Sequence, residues 1–173
     1  ENDIDISKIK KSEITFLEGY LWDKGDPRKA FEKAIKNSNL VAMTLSDKFC
    51  VDRHKSEFLD LVKNKLDIIF ANEQEMLSLI DAKSFDDVLD FTKSLDKLFV
   101  ITRGEKGAVL VSENKITENG IENNLNIKDL TGAGDLFAAG YLHGYLNKLD
   151  TKQCLDKGRE MSSKVIQQIG ARL

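Results

Sequence analysis

The chemistry this chain can be expected to do is concentrated in one run, Asp129-Leu130-Thr131-Gly132-Ala133-Gly134-Asp135. Polar residues and glycines come first. Leu136-Phe137-Ala138-Ala139-Gly140-Tyr141-Leu142 follows, small and apolar at helical spacing. The pattern predicts a tight loop feeding the N-terminus of a buried helix. The first turn of a helix has backbone N–H groups without intrahelical partners and sits at the positive end of the helix dipole. Glycines let an anionic group come close to those N–H groups. Asp135 is the unusual member. A carboxylate in a first turn is an ordinary dipole partner, but beside a Gly-Ala-Gly anion cradle it can also act as a general base. The N–H groups would hold a phosphate while Asp135 takes the proton from an attacking hydroxyl.

Two other polar groups fall at the predicted ends of strands, where open α/β sheets bind ligands. Asn72-x-x-Glu75 opens a helix after an apolar strand. Taken alone, a capping box is the stronger reading, with Asn72 as N-cap and Glu75 as its reciprocal partner. The other reading sets Glu75 near a hydrated magnesium ion, since carboxylates hold Mg²⁺ largely through water and substrate phosphates; both can hold at once. Thr102-Arg103-Gly104-Glu105-Lys106-Gly107 is a Gly-x-x-Gly turn after a strand. It either just leads into a hairpin or brings Thr102 and the glycine backbone against a nucleotide's phosphates or ribose. Arg103 and Lys106 are solvated charges or phosphate partners. It is not a Walker loop, because no Gly-Lys-Ser/Thr follows.

The elements that must position these groups alternate. An irregular or helical lead-in over residues 1–12 precedes strands at 14–19, 40–45, 66–71 and 98–102. Asp26 and Pro27 start the first long helix, which runs to about Ser38. Phe58, Leu59, Leu61 and Val62 mark the next helix. A short helix follows Asn72 to Ile80, and Ser84 caps one carrying Val88, Leu89, Phe91 and Leu95. Residues 108–111 and 115–117 form a small hairpin around Glu113-Asn114, followed by a polar loop over 119–126. The glycine-bearing helix spans about 133–146. Thr151 caps a last helix to about Ile169, closed by Gly170. This rhythm indicates an α/β fold, a mostly parallel sheet with helices on both faces. No repeat or linker interrupts it, so one domain is expected over residues 1–173.

Composition sets the outer limits. With 173 residues, 41% of them hydrophobic and 32% charged, the chain is long enough for a real core and ordinary for a globular protein. A net charge of −3 gives no footprint for nucleic acid or an anionic membrane surface. No apolar run approaches the ~20 residues of a membrane span, and the acidic start is unlike a signal peptide. Cys50 and Cys154 match no metal spacing and read as free thiols of a reducing, cytoplasmic compartment. His54 and His143 have no ligand-spaced companion, and Trp22 reads as packing. The chain does not begin with Met, which suggests a fragment or a processed piece.

Taken in order, the motifs resemble the second half of the ribokinase-like (PfkB) carbohydrate kinases. Asn-x-x-Glu, then Thr-x-Gly-x-x-Gly, then Gly-Ala-Gly-Asp before a small-residue helix follow that family's sequence. Glu18-Gly19-Tyr20-Leu21-Trp22, Thr44-Leu45-Ser46-Asp47 and Ile169-Gly170-Ala171-Arg172 are similar to its adenosine-kinase-like branch. The resemblance implies a three-layer α/β/α ribokinase-like fold, here its C-terminal part without the N-terminal lid region. It implies an ATP-dependent phosphotransferase acting on an alcohol group of a sugar or nucleoside. Asp135 matches the catalytic base, and Gly132, Ala133 and Gly134 the anion hole. Asn72 and Glu75 match the residues near Mg²⁺ and the phosphates, Glu75 acting through water. Thr102, Gly104 and Gly107 match the nucleotide loop. Asp129, the Thr131 carbonyl and Gly170 match a monovalent-cation site, with K⁺ the candidate ion. Two positions depart from the pattern. Leu130 replaces a Thr or other small residue, and Arg159 stands where Asn or His usually flanks the adenine. Family members are roughly twice as long, the preceding part carrying the lid and most of the acceptor pocket. The expected macromolecular partner is therefore a second copy or a missing N-terminal half. The alternatives are a catalytically silent nucleotide-binding or structural fragment and, less favoured for want of Gly-x-Gly-x-x-Gly after the first strand, a dinucleotide-binding protein.

Overall fold

The computed structural model describes residues 2–23 and 27–173. They fall into two compact units, residues 1–99 with 112–114 and residues 100–111 with 115–173.

The first unit is built on parallel strands. β1 (Ile14–Glu18), β2 (Leu40–Thr44) and β3 (Ile68–Asn72) lie side by side in that order. Ile14 pairs with Leu40, and Ala42 with Ile68. Val41, Ala42 and Met43 of β2 are buried in succession, as are Ile68, Ile69 and Phe70 of β3. Unbroken apolar runs of this kind belong to strands covered on both faces. Parallel neighbours need crossovers, which are helical here. α1 (Ile6–Lys11) is the expected lead-in, capped by Asp5, and α2 (Pro27–Asn37) joins β1 to β2. Pro27 is the first residue of α2 as expected, while its proposed cap Asp26 lies outside the described residues.

Between β2 and β3 the sequence suggested one helix, but the structure has two, α3 (Lys48–Arg53) and α4 (Lys55–Asn64). The break falls at His54, whose backbone is non-helical. α5 (Glu73–Leu79) and α6 (Phe85–Lys93) follow, and β4 (Leu98–Thr102) begins in this unit, the Leu98 N–H donating to the Asp67 carbonyl at 3.0 Å. The segment after β1, expected as loop, winds into a 3-10 turn over Gly19–Asp23. Trp22 anchors it by packing edge-on against Phe31 and Phe58, with ring centroids 4.9 Å and 6.0 Å away.

The second unit holds the rest of β4, then β5 (Ala108–Ser112) and β6 (Lys115–Asn119), neighbours in that order. Glu113 and Asn114 both have positive φ, the backbone of a two-residue hairpin turn. α7 (Ala133–Leu146) and α8 (Thr151–Val165) pack closely. A Cβ on Gly140 would lie 2.4 Å from the Lys157 carbonyl oxygen, so only glycine allows this approach. α8 departs from expectation at both ends. Its cap is Asp150, which forms a capping box with Gln153, rather than Thr151. It ends at Val165, short of the expected Ile169, and Gly170 lies beyond it with φ of 94°. Among the described residues, no helix is long and apolar enough to cross a membrane.

Candidate active site

The sequence-predicted site residues divide between the two units. In the first, the end of β3 and the start of α5 place Asn72 and Glu75. The capping box is complete. The Asn72 Oδ1 accepts from the Glu75 N–H at 2.9 Å, and Glu75 Oε2 accepts from the Asn72 N–H at 2.9 Å. Glu75 Oε1 also accepts from Asn72 Nδ2 at 2.5 Å. Asn72 is exposed, whereas only 3% of Glu75 reaches solvent. Burial pushes the Glu75 carboxyl up to about 7, against the opposing pull of the Asn72 N–H, and the negative charge of Asp47 adds to the rise. Asp47 was overlooked as part of this corner. It caps α3 by accepting from the Cys50 N–H at 2.5 Å. The available signal was its place in Thr44-Leu45-Ser46-Asp47, just beyond the end of β2. A buried carboxyl poised near neutrality responds strongly to a nearby cation, which would hold it ionised.

In the second unit, Thr102 ends β4, and Gly104 and Gly107 bracket a 3-10 turn over 104–106. The Arg103 N–H donates to the Gly107 carbonyl at 2.8 Å, closing the loop. Gly107 has φ of 83°, and a Cβ there would sit 2.0 Å from the Asn119 carbonyl oxygen. Glycine is therefore required at this position, whatever the loop binds. Gly104 has open space where its Cβ would be.

The Asp129 loop is tied by its own carboxylate. Asp129 Oδ1 accepts from the Thr131 N–H at 2.9 Å and from the Thr131 hydroxyl at 2.7 Å. Its Oδ2 accepts from the Gly170 N–H at 2.9 Å. These donors, the Thr131 hydroxyl first, hold the Asp129 carboxyl down at about 2. Thr131 and Gly170 thus meet around the Asp129 carboxylate, to which each donates. Leu130 is exposed, so its larger side chain is accommodated by pointing away.

Gly132 precedes α7 in the left-handed conformation, φ 80°, and no side chain caps the helix. The Ala133 N–H donates to the Leu130 carbonyl at 3.2 Å. The three N–H groups of the expected cradle are therefore not equivalent: among the described residues, those of Gly132 and Gly134 have no such partner. Gly134 has nothing within 4 Å of a built Cβ, which leaves its side of the helix start open. Asp135 lies in the first turn of α7 and is exposed. Arg159 sits on α8, paired with Asp156 at 3.3 Å, its Nε buried without a hydrogen-bond partner among the described residues.

Adenosine kinase from Sinorhizobium meliloti shares 38% sequence identity, with a TM-score of 0.96 over 99% of this chain and 54% of its own. A cytidine kinase from Thermococcus kodakarensis is 36% identical over 125 residues, 67% of this chain and 42% of its own length. A putative Ribokinase II from E. coli, solved in complex with ATP and Mg²⁺, shares the fold at 19% identity and a TM-score of 0.85, over 97% of this chain and 56% of its own. The fold is thus ribokinase-like, α/β with a mostly parallel sheet. The chain spans about half the length of the relatives it matches. Residues 2–173 match the pfkB family carbohydrate kinase domain, and the chain belongs to that family.

Proposed function

We propose that the protein transfers the γ-phosphoryl group of ATP to an alcohol of a sugar or nucleoside, and that this chain carries the nucleotide side and the base of one such kinase domain. The observation that carries the reading is the start of α7: two N–H groups that have no hydrogen-bond partner among the described residues, beside an exposed carboxylate. Asp135 takes the proton from the acceptor hydroxyl as its oxygen attacks the γ-phosphorus. The bond to the β-phosphate oxygen breaks, and ADP leaves with that electron pair. Gly132 and Gly134 donate to oxygens of the phosphoryl group as charge shifts across it. Positioning and charge stabilisation are what phosphoryl transfer asks of a protein.

Glu75 fits a magnesium neighbour. Both its oxygens already accept a hydrogen bond, which favours contact through water over direct ligation. Magnesium, when bound, neutralises phosphate charge. Asp129, held ionised, fits a monovalent cation together with the Thr131 carbonyl and Gly170. Thr102, Gly104, Gly107 and Arg159 are assigned to the nucleotide, Gly104 and its open space to the phosphates. The similar adenosine and cytidine kinases support a nucleoside acceptor.

The test is phosphoryl transfer from γ-labelled ATP by the gene's full-length product across a panel of sugars and nucleosides, with the 173-residue chain assayed in parallel. Transfer to at least one panel member by the full-length product is expected. No transfer to any member would overturn the reading. Transfer by the full-length product alone would assign the acceptor pocket to the other part of the protein.

A further inference from the structure

A second cluster lies in the first unit, where the 3-10 turn after β1 meets the break between α3 and α4. Asp23, Cys50 and His54 each present a donor atom there, and the three atoms lie within 4.8 Å of one another. His54 Nε2 is 2.8 Å from Asp23 Oδ1. Cys50 lies in α3 and His54 caps the end of that helix, its N–H donating to the Cys50 carbonyl at 3.1 Å, which keeps the two residues one turn apart. Sequence spacing does not join the three, because Asp23 stands 27 residues earlier than Cys50 and only the fold brings it in.

We propose that Asp23, Cys50 and His54 form a binding site for a borderline transition-metal ion, Zn²⁺ foremost. One thiolate, one imidazole and one carboxylate are the donor types that Zn²⁺ takes, and three protein ligands leave a fourth position for water. Hard ions such as Mg²⁺ and Ca²⁺ prefer all-oxygen sets, so this is not a second magnesium site. Zinc bonds of about 2.0–2.3 Å set tetrahedral ligands roughly 3.3–3.7 Å apart. The Asp23–His54 pair therefore opens by less than about 1 Å on binding.

The neighbouring residues hold the three ligands in place. Arg53 holds Asp23 through its Nε at 3.1 Å and through a short contact from its terminal nitrogen to Oδ2. Such an outer partner fixes a ligand's orientation. The His54 ring is steadied against Phe58, with centroids 5.9 Å apart. The Cys50 thiol is fully buried and donates to the Gly19 carbonyl at 3.3 Å. The negative charges of Asp23 and Asp47 nearby attract a metal ion. On binding, the S–H bond breaks, the proton leaves to solvent and the sulfur lone pair forms the metal bond. The ion would pin the Gly19–Asp23 turn to the start of α4, independently of the kinase reading.

Cobalt serves as the coloured probe and Zn²⁺ as the competitor, with the full 173-residue chain. One equivalent of Co²⁺ should give a thiolate-to-metal charge-transfer band that Zn²⁺ displaces. Cys50→Ser should abolish the band, whereas Cys154→Ser should leave it. His54→Gln, at a half-buried position, should weaken binding by at least about tenfold and carries the test if Cys50→Ser fails to fold by circular dichroism. No band in the wild-type chain, or a band that survives Cys50→Ser, overturns the proposal. The cluster is then an ion-pair staple between Asp23, Arg53 and His54 and nothing more.

Discussion

The corner at Asn72 and Glu75 and the loop at Asp129 both end in a carboxylate held by backbone N–H groups, yet the two acids are driven in opposite directions. Glu75 is buried, and desolvation outweighs its hydrogen bonds, raising its pKa to about 7. Asp129 is only partly covered, and three donors lower its pKa to about 2. Asp129 has one donor more than Glu75, and burial, the leading influence on Glu75, is the least on Asp129. A hydrated cation beside Glu75 would change its protonation, whereas Asp129 is already a fixed negative charge. The first is a responsive group and the second a permanent one.

The largest stability effect should come from Glu75. A folded-state pKa above the unfolded value favours folding at acid pH, and that advantage is lost as pH rises through the window. Between about 4.5 and about 7 the fold should lose about 3 kcal/mol from this group. Urea unfolding across that range reads it directly. Glu75→Gln, which cannot titrate, should flatten the profile, and millimolar Mg²⁺ should reduce the wild-type slope if a cation lies close by. A wild-type profile with no slope would erase the contrast with Asp129.

Gly132→Ala should cost about 1–2 kcal/mol, because a positive φ of 80° strains an alanine and its methyl would lie 2.7 Å from the Ala171 side chain. Gly134→Ala should do the opposite. With nothing within 4 Å and a helical backbone, it should gain about 0.5–1 kcal/mol of helix propensity. Its methyl narrows the anion approach, so turnover of the full-length product should fall by at least about tenfold. Thermal unfolding and kinetics measured together separate the two glycines. The smallest effect belongs to Asp129. Its contribution is present above the ordinary carboxylate range and is lost as pH falls toward about 2. The protection of the Thr131 and Gly170 amides relative to their intrinsic exchange rates should fall over that interval, while that of Asn72 holds.

Much of this was legible in the sequence, for identifiable reasons. The strands were readable because β2 and β3 are continuous apolar runs between polar ends. The Asn72 capping box and the Gly132–Asp135 turn follow from local rules linking residues three or four apart. Gly107 was legible as a turn residue, but not its reason, since Asn119, which crowds it, lies 12 positions away. α3 escapes a reading of apolar spacing because residues 52–57 are all polar, so the helical pattern shows only from Phe58 onward. The inequality of the α7 N–H groups escaped too, because it depends on where the Leu130 carbonyl points. The Asp23–Cys50–His54 cluster is a product of tertiary structure, though the Cys50 and His54 spacing was already there to be seen.

The most direct test of the central claim is Asp135→Asn in the full-length product, with kcat and ATP affinity measured on the same preparation. Asp135 is exposed, so the fold should tolerate the change. The account predicts unchanged ATP binding and a kcat reduced by about 10²–10⁴-fold. A variant that binds ATP normally and turns over near the wild-type rate would contradict it.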